Sequence, residues 1–497
     1  MAAQSRAHHL LLAVCAAFAL LSLVLVPLTL PLGWDETVYA SRFAPHAPAT
    51  PFSAPRTRGV PFLIAPVAAW SDSVVLLRVW LTLLSTTALY LGFRPWLRPL
   101  GRPAAAAVAA ALYGGLWFVL FYASAAMPNH YTAMGAVGAV GLFLRARQSP
   151  ATRAGIFTGL ALATLMRPND GFALGAPLLA AALLVPAWRG RSRVLAVLGG
   201  LAAGALPWVV EAYVRFGGPR ERLAEASEVQ GTLRPLLSFV HHLTVMDGPL
   251  LCRPCDSDHI RPLAAEWWLV LPFLVAVGVW WSVRGGSGAR RERHEPRQPG
   301  TAGFRAAGFR AAGSRGCLLA VVAALCVAFP YLLLVPYAAP RFLAPTHALL
   351  APAAALGVLA LGDSALASRR PYVATATLGL ALLGHLAVQL PLTQSNAKIQ
   401  AGARGDWARV AEVLHDHGVG AGAGGGDRDG PPCVLRGNTS VIPVAYATGC
   451  APGGPRDPRR PTALVLRDAE PPAWARAWPR HQVPDTYAPG WVVHVRP

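Results

Sequence analysis

ATLMRPNDGFALG, residues 163–175, is the stretch on which the topology of this chain turns. Residues 154–188 carry no charge besides Arg167 and Asp170 within it. One tilted helix through the segment would cross a bilayer once. Two short spans, 154–166 and 171–188, would cross it twice and reverse the side of every later loop. Pro168 cannot continue a helix without losing a hydrogen bond, and Gly171 punctuates the same turn, so a break here has a physical cause. Two spans are therefore expected.

The charge pattern agrees. Of 497 residues 54% are hydrophobic and only 14% charged, against roughly 25% charged in soluble domains. Apolar blocks recur along most of the length, as in a multi-span membrane protein. The first, residues 9–31, is too long for the apolar core of a signal peptide and is read as a retained helix. Eleven spans are expected, at 9–31, 73–93, 103–122, 131–145, 154–166, 171–188, 194–214, 265–283, 317–337, 342–361 and 371–391. With a cytoplasmic N-terminus, the inside loops are 94–102, 146–153, 189–193, 284–316 and 362–370. Loop 189–193 holds Arg189, Arg191 and Arg193, and 284–316 holds eight arginines, whereas the outside loop 123–130 has none. That asymmetry follows the positive-inside rule. It also explains the net charge of +20 without nucleic acid as a partner. A single lysine, Lys398, among so many Arg, Ala, Gly and Pro residues points to a high-GC bacterial genome, and so to a bacterial plasma membrane.

The expected domains are a mainly α membrane unit, 1–391, with outer loops 33–72 and 215–264, and a small extracytoplasmic α/β unit, 392–497. In the latter, GDWARVAEVLHDHG has helical periodicity, and CVLRG, TALVLR and GWVVHVRP read as short strands. GVGAGAGGGDRDG, 418–430, lacks the Gly-Lys-Ser/Thr of a phosphate loop and reads as a linker. The repeat AGFRAAGFRAAGSRG, 302–316, is a basic cytoplasmic segment suited to anionic headgroups.

Two adjacent acids, Asp35 and Glu36, follow the first span in PLGWDETVYASRF, 31–43. At the C-terminus of a spanning helix the dipole disfavours them and they repel each other, which favours a functional reason for the pair. The same loop brings Arg56 and Arg58 and then GVPFLIAPVAAW, too short to span and read as an interfacial helix. Acids, guanidinium groups and a membrane-surface element together suit a substrate with an anionic head and a lipid tail. Arginine binds phosphate oxygens in bidentate fashion, and a carboxylate can deprotonate a hydroxyl.

An Asp-Glu pair after the first span, Tyr39 three residues beyond it, and an interfacial helix opened by a basic segment together resemble the membrane glycosyltransferases of the GT-C fold. The nearest in pattern is glycosyltransferase family 39, the protein O-mannosyltransferases and lipid A aminoarabinose transferases. SDSVVLLRVWLTLLS resembles the start of that family's second span, ATLMRPNDG its Arg/Lys-Pro break, APRFLAPTHALLAPA its Pro-Arg-Tyr-Leu segment, and VIPVAYATG its outer-domain segment. The resemblance implies sugar transfer at the outer face from a polyprenyl-phosphate donor to a lipid, protein or glycan acceptor. Asp35 matches the family's catalytic acid, and Glu36 would orient it or help hold a divalent cation, the one cofactor implied. Arg341 matches by its segment as a ligand of the donor phosphate, while Arg56 and Arg58 are candidates by chemistry alone. The chain departs from the family where a second acid often follows the third span: Asn129 and His130 stand there as substrate-binding candidates, so Asp170 or Asp247 would have to supply a second carboxylate. The family's His-Pro-Pro element is replaced by APRTRGVPF.

Among other polar groups, Arg167 and Asp170 flank the helix break and either pair with each other or face the donor phosphate. Cys252, Cys255 and His259, with Asp256 and Asp258 nearby, form half a metal site or, more simply, a disulfide-stapled loop. Cys433 and Cys450 are expected to form a disulfide, and Glu211 to be structural. The rival reading is a transporter or lipid flippase, which should show charges at mid-membrane and related halves. Here the ionisable residues cluster at span ends.

Overall fold

Arg167 stands outside helical geometry, at φ −148° and ψ 95°, as the residue before a proline is pushed to do. The expected break is therefore present, between Pro150–Met166 and Pro168–Leu184. A Cβ on Gly171 would lie 2.2 Å from the Thr164 hydroxyl, so only glycine lets the two helices turn this tightly. The structure, a computed structural model, describes residues 2–145, 148–255, 265–291, 302–420, 433–454 and 457–497. Asp256, Asp258, His259 and most of the Gly-rich segment 418–430 lie outside the described residues, as does the Asp247 side chain.

In chain order the helices are α1 Ala2–Leu25, α2 Trp34–Ala40, α3 Gly59–Ala68, α4 Val74–Phe93, α5 Ala105–Gly114, α6 Trp117–Tyr122, α7 Asn129–Phe143, α8 Pro150–Met166 and α9 Pro168–Leu184. They continue with α10 Arg191–Phe216, α11 Pro219–Val229, α12 Phe239–Thr244, α13 Glu266–Arg291, α14 Ala302–Leu333, α15 Ala344–Leu366, α16 Pro371–Asp416 and α17 Val441–Thr448. Among the described residues seven helices are long and apolar enough to cross a membrane. The other four expected spans are the broken pair α5 and α6 and the 15- to 17-residue helices α7, α8 and α9. The chain is a mainly α, multi-pass membrane protein with a small C-terminal sheet. Small residues set the helix contacts, as they do where lipid offers no hydrophobic drive. A Cβ on Gly357 of α15 would come 2.1 Å from the Leu274 carbonyl of α13.

The loops sort to the two ends as the charge pattern requires. At one end Arg102 pairs with Asp363 at 2.6 Å, and Arg193 donates to the Arg145 carbonyl at 2.8 Å. At the other, the 31–36 turn meets Ser124 and Ala126, and Cys252 bridges to Ala338. Several boundaries differ from expectation. The first helix stops at Leu25 rather than 31, because Pro27 cannot donate the next hydrogen bond. The 103–122 span breaks at Gly115–Leu116, and α13 and α14 run well into the arginine-rich 284–316 segment. The eleventh span and GDWARVAEVLHDHG are one 46-residue helix, α16, with no linker between them.

The three expected strands are present within a five-stranded sheet: β1 Val434–Gly437, β2 Ala451–Pro452, β3 Ala463–Arg467, β4 Arg480–Gln482 and β5 Trp491–Val495, in the order β2-β1-β3-β5-β4. β1 runs parallel to β2 and β3, and β5 antiparallel to β3 and β4. Val410 and Leu414 of α16 pack with Val444 of α17, Leu435, Val465 and Val493 in the sheet's core. Asp406 of α16 accepts the amides of Tyr487 and Ala488, at 2.6 and 2.9 Å. Both expected disulfides are formed, Cys252–Cys255 and Cys433–Cys450.

Candidate functional site

The acid pair sits at the start of α2, not at the end of the first span. Gly33 caps α2 with its N–H on Glu36 Oε2 at 2.7 Å, and both acids lie in the first turn. There the helix dipole favours negative charge, which removes the electrostatic objection raised by the sequence. The two carboxylates then diverge.

Glu36 is 2% exposed and carries a full set of donors. Arg78 of α4 reaches both its oxygens, at 2.5 and 3.0 Å. Arg404 of α16 adds a contact at 3.2 Å, the Ala126 amide one at 2.8 Å, and the Gly33 amide completes the shell. Burial alone would raise the Glu36 carboxyl, but Arg78 and Arg404 outweigh it and hold it at about 2. Glu36 has no lone pair left to orient Asp35 or to take a cation, contrary to the expected role. It ties α1's exit, α4, α6's exit and α16 together, since Arg78 and Arg404 also bind the Leu30 and Pro31 carbonyls.

Asp35 remains partly open, with its side chain 30% exposed. Arg56 contacts one oxygen at 2.7 Å and Arg341 the other at 3.4 Å. Burial pushes the Asp35 carboxyl up, but Arg56 and Arg341 more than offset it, so its pKa lies below the ordinary 3.8. Tyr39, one turn along α2, shares Arg56 through its hydroxyl, and burial pushes that phenol up to about 12 against the pull of Arg56, Arg167 and Arg341. Arg341 stands in a short 3-10 turn, Pro340–Leu343, held by the Tyr122 hydroxyl at 3.0 Å and the Leu250 carbonyl at 2.9 Å. Arg167, freed by the helix break, donates to the Tyr331 hydroxyl at 2.6 Å, stacks on the Tyr331 and Phe342 rings, and pairs with Asp170 at 3.3 Å. Asp170 also accepts from Tyr331 and is 2% exposed, so it is a compensated charge rather than a free carboxylate.

Asp35, Tyr39, Arg56, Arg167 and Arg341 thus converge, and one free-standing carboxylate faces two guanidinium groups. Three other candidates lie elsewhere. Arg58 turns away to Glu211, at 2.7 Å. His130 is buried among Phe18, Tyr113 and Tyr131, bonded to the Tyr113 hydroxyl and the Ser85 carbonyl. Asn129 is buried with its amide nitrogen unpartnered. Arg78 and Arg404 were missed as site residues. Arg78 had a signal, being the one charge in an apolar span; Arg404 had none.

A divalent cation does not fit this donor set. Its ligands would be Glu36, already saturated, and Asp35, whose oxygens are engaged by cations. Cys252 and Cys255 are consumed in their disulfide, and among the described residues no group of three or more His, Cys, Asp or Glu converges elsewhere.

No protein-family model and no curated protein matches the sequence. Solved structures do match by shape. ArnT from Cupriavidus metallidurans bound to undecaprenyl phosphate aligns with a TM-score of 0.59 at 13% identity, over 97% of each chain. The archaeal oligosaccharyltransferase AglB from Archaeoglobus fulgidus, in complex with an inhibitory peptide and a dolichol-phosphate, aligns with a TM-score of 0.52 at 14% identity, over 92% of this chain and 69% of its own. The fold is that of the GT-C membrane glycosyltransferases.

Proposed function

We propose that this chain is a membrane glycosyltransferase that moves a sugar from a polyprenyl-phosphate-linked donor to an acceptor hydroxyl at the outer face of a bacterial plasma membrane. The observation that carries the reading is Asp35, a single partly open carboxylate flanked by Arg56 and Arg341, in a fold shared with proteins solved with dolichol-phosphate and undecaprenyl phosphate. With one negative and two positive groups, the site has charge to spare for a phosphate. Arg56 and Arg341, with Arg167 behind them, would hold it; Arg58 is not in that set.

In the reaction Asp35 takes the acceptor's proton as its oxygen attacks the anomeric carbon. The bond from that carbon to the phosphate oxygen breaks on the opposite side, the electron pair leaves with polyprenyl phosphate, and the configuration inverts. The arginines stabilise the departing phosphate where its charge grows. Glu36 acts as a positioning residue through Arg78 and Arg404. The N-terminus is cytoplasmic in this reading, and the α/β unit from 392 onward is extracytoplasmic, facing a lipid, protein or glycan acceptor.

The test uses the purified chain in nanodiscs with radiolabelled polyprenyl-phosphate sugars and a cell-envelope extract as acceptor. Release of free polyprenyl phosphate by wild type and not by Asp35→Asn supports the assignment. Full activity of a folded Asp35→Asn refutes the role of Asp35. Tight donor binding without turnover by wild type favours a flippase.

A further inference from the structure

Arg56 and Arg58 are two residues apart but serve different clusters. Between them Thr57 donates to the Met166 carbonyl at 3.0 Å and pins the turn. On the far side Glu211 of α10 receives Arg58 and Arg215, each at 2.7 Å, and Arg222 at 3.2 Å. Arg42 joins them: its guanidinium lies 4.3 Å from the centre of the Phe52 ring, and that of Arg58 lies 4.7 Å from the same ring. Burial, then the like charges of Arg58 and Arg215, hold Arg42 below its usual value.

Four guanidinium groups therefore crowd one carboxylate. Arg222 is fully buried and spent on the Ala54, Arg56 and Trp208 carbonyls, so its role is structural. Arg58 and Arg215 stay about a third exposed, at 33% and 31%. The Arg42 Nε, shielded from solvent, has no hydrogen-bond partner. An uncompensated positive cluster with an idle donor complements an oxyanion.

The neighbouring surface says where that oxyanion comes from. Leu195, Leu198, Leu206, Val210 and Val214 form an exposed apolar stripe along α10 that ends within a turn of Arg215. In a spanning helix such a face contacts acyl chains, and guanidinium groups at its end meet the headgroup layer. We propose that Arg42, Arg58 and Arg215 bind the phosphate headgroup of an anionic phospholipid whose chains lie along α10. Because Arg56, Thr57 and Arg58 form one turn, the bound headgroup steadies the loop that presents Arg56 to Asp35. The proposal is independent of the transfer reaction, since it is read by binding alone.

The experiment titrates the full-length protein, purified in detergent, with phosphatidylglycerol, phosphatidylcholine or inorganic phosphate and counts bound molecules by native mass spectrometry. Wild type should retain phosphatidylglycerol preferentially, and Arg42→Gln/Arg215→Gln should weaken it about tenfold, the loss of one charge-assisted contact. Glu211→Gln removes the competing carboxylate and should strengthen binding. Equal retention of both lipids, or an unchanged double variant, overturns the proposal. Displacement by inorganic phosphate at equal concentration assigns the cluster to a free anion and overturns the lipid. Weakening by Glu211→Gln means that the cluster is only a structural ion-pair network.

Discussion

Glu36→Gln should damage the fold more than the chemistry. The substitution keeps the shape but leaves Arg78, 1% exposed, and Arg404 without their counter-charge. Breaking a buried pair by neutralising one partner costs about 3–5 kcal/mol. The ionisation of Glu36 gives an independent figure. A carboxyl held at about 2 in the folded protein, against its ordinary 4.5, contributes about 3 kcal/mol at neutral pH. Its folded pKa is depressed, so this stability is complete above pH 4.5 and is lost as pH falls toward 2. Thermal unfolding of wild type and Glu36→Gln in nanodiscs, followed at several pH values, measures both. Wild type should lose stability across that window, whereas the variant should start lower and lose less. A variant with wild-type stability at neutral pH and the same acid sensitivity would refute the reasoning, and a stable but inactive one would return Glu36 to the catalytic machinery.

Three further outcomes are expected. Asp35→Asn should fold normally and lower turnover by about 10²- to 10⁴-fold, and the acid limb of wild-type kcat/KM should fall below pH 3.8, because Arg56 and Arg341 depress the carboxyl; a limb near neutrality would contradict this. Arg341→Ala should weaken donor binding about tenfold to a hundredfold, the worth of a hydrogen bond between charged groups, as read by titration with polyprenyl phosphate. Reducing Cys433–Cys450, which spans 17 residues, should cost the sheet about 3 kcal/mol, visible as faster amide exchange in β1 and α17 with the membrane helices unchanged.

Features written locally were legible in the sequence. Pro168 and the residue before it fix a helix break, three strands follow from alternation and turn residues, and two cysteine pairs lie close enough to bridge. The sorting of loops to two ends followed from arginine placement. The first helix's end was also written, in Pro27 and Pro31, but the unbroken apolar run masked it and put the acids at the wrong kind of helix terminus. What sequence could not show depends on distant partners. Glu36 meets Arg78 across 42 residues and Arg404 across 368, and no periodicity encodes such a meeting. Arg58 could not be separated from Arg56 by chemistry, because the difference lies in which way a pinned turn directs each side chain. The continuity of α16 was hidden by the change from apolar to polar composition along it.

The reach of Arg404 back to Glu36 also sets an order of events in biogenesis. The turn carrying Asp35 and Glu36 leaves the ribosome among the first segments, and Arg404 among the last. Until α16 is made and inserted, Glu36 lacks one of its two cationic partners, and α17, whose Ile442 and Tyr446 pack against the α2 cluster, has not yet arrived. A nascent chain, or one truncated before residue 404, therefore carries Asp35 on an unfinished support. The enzyme is built so that its first loop matures only when its last helix arrives.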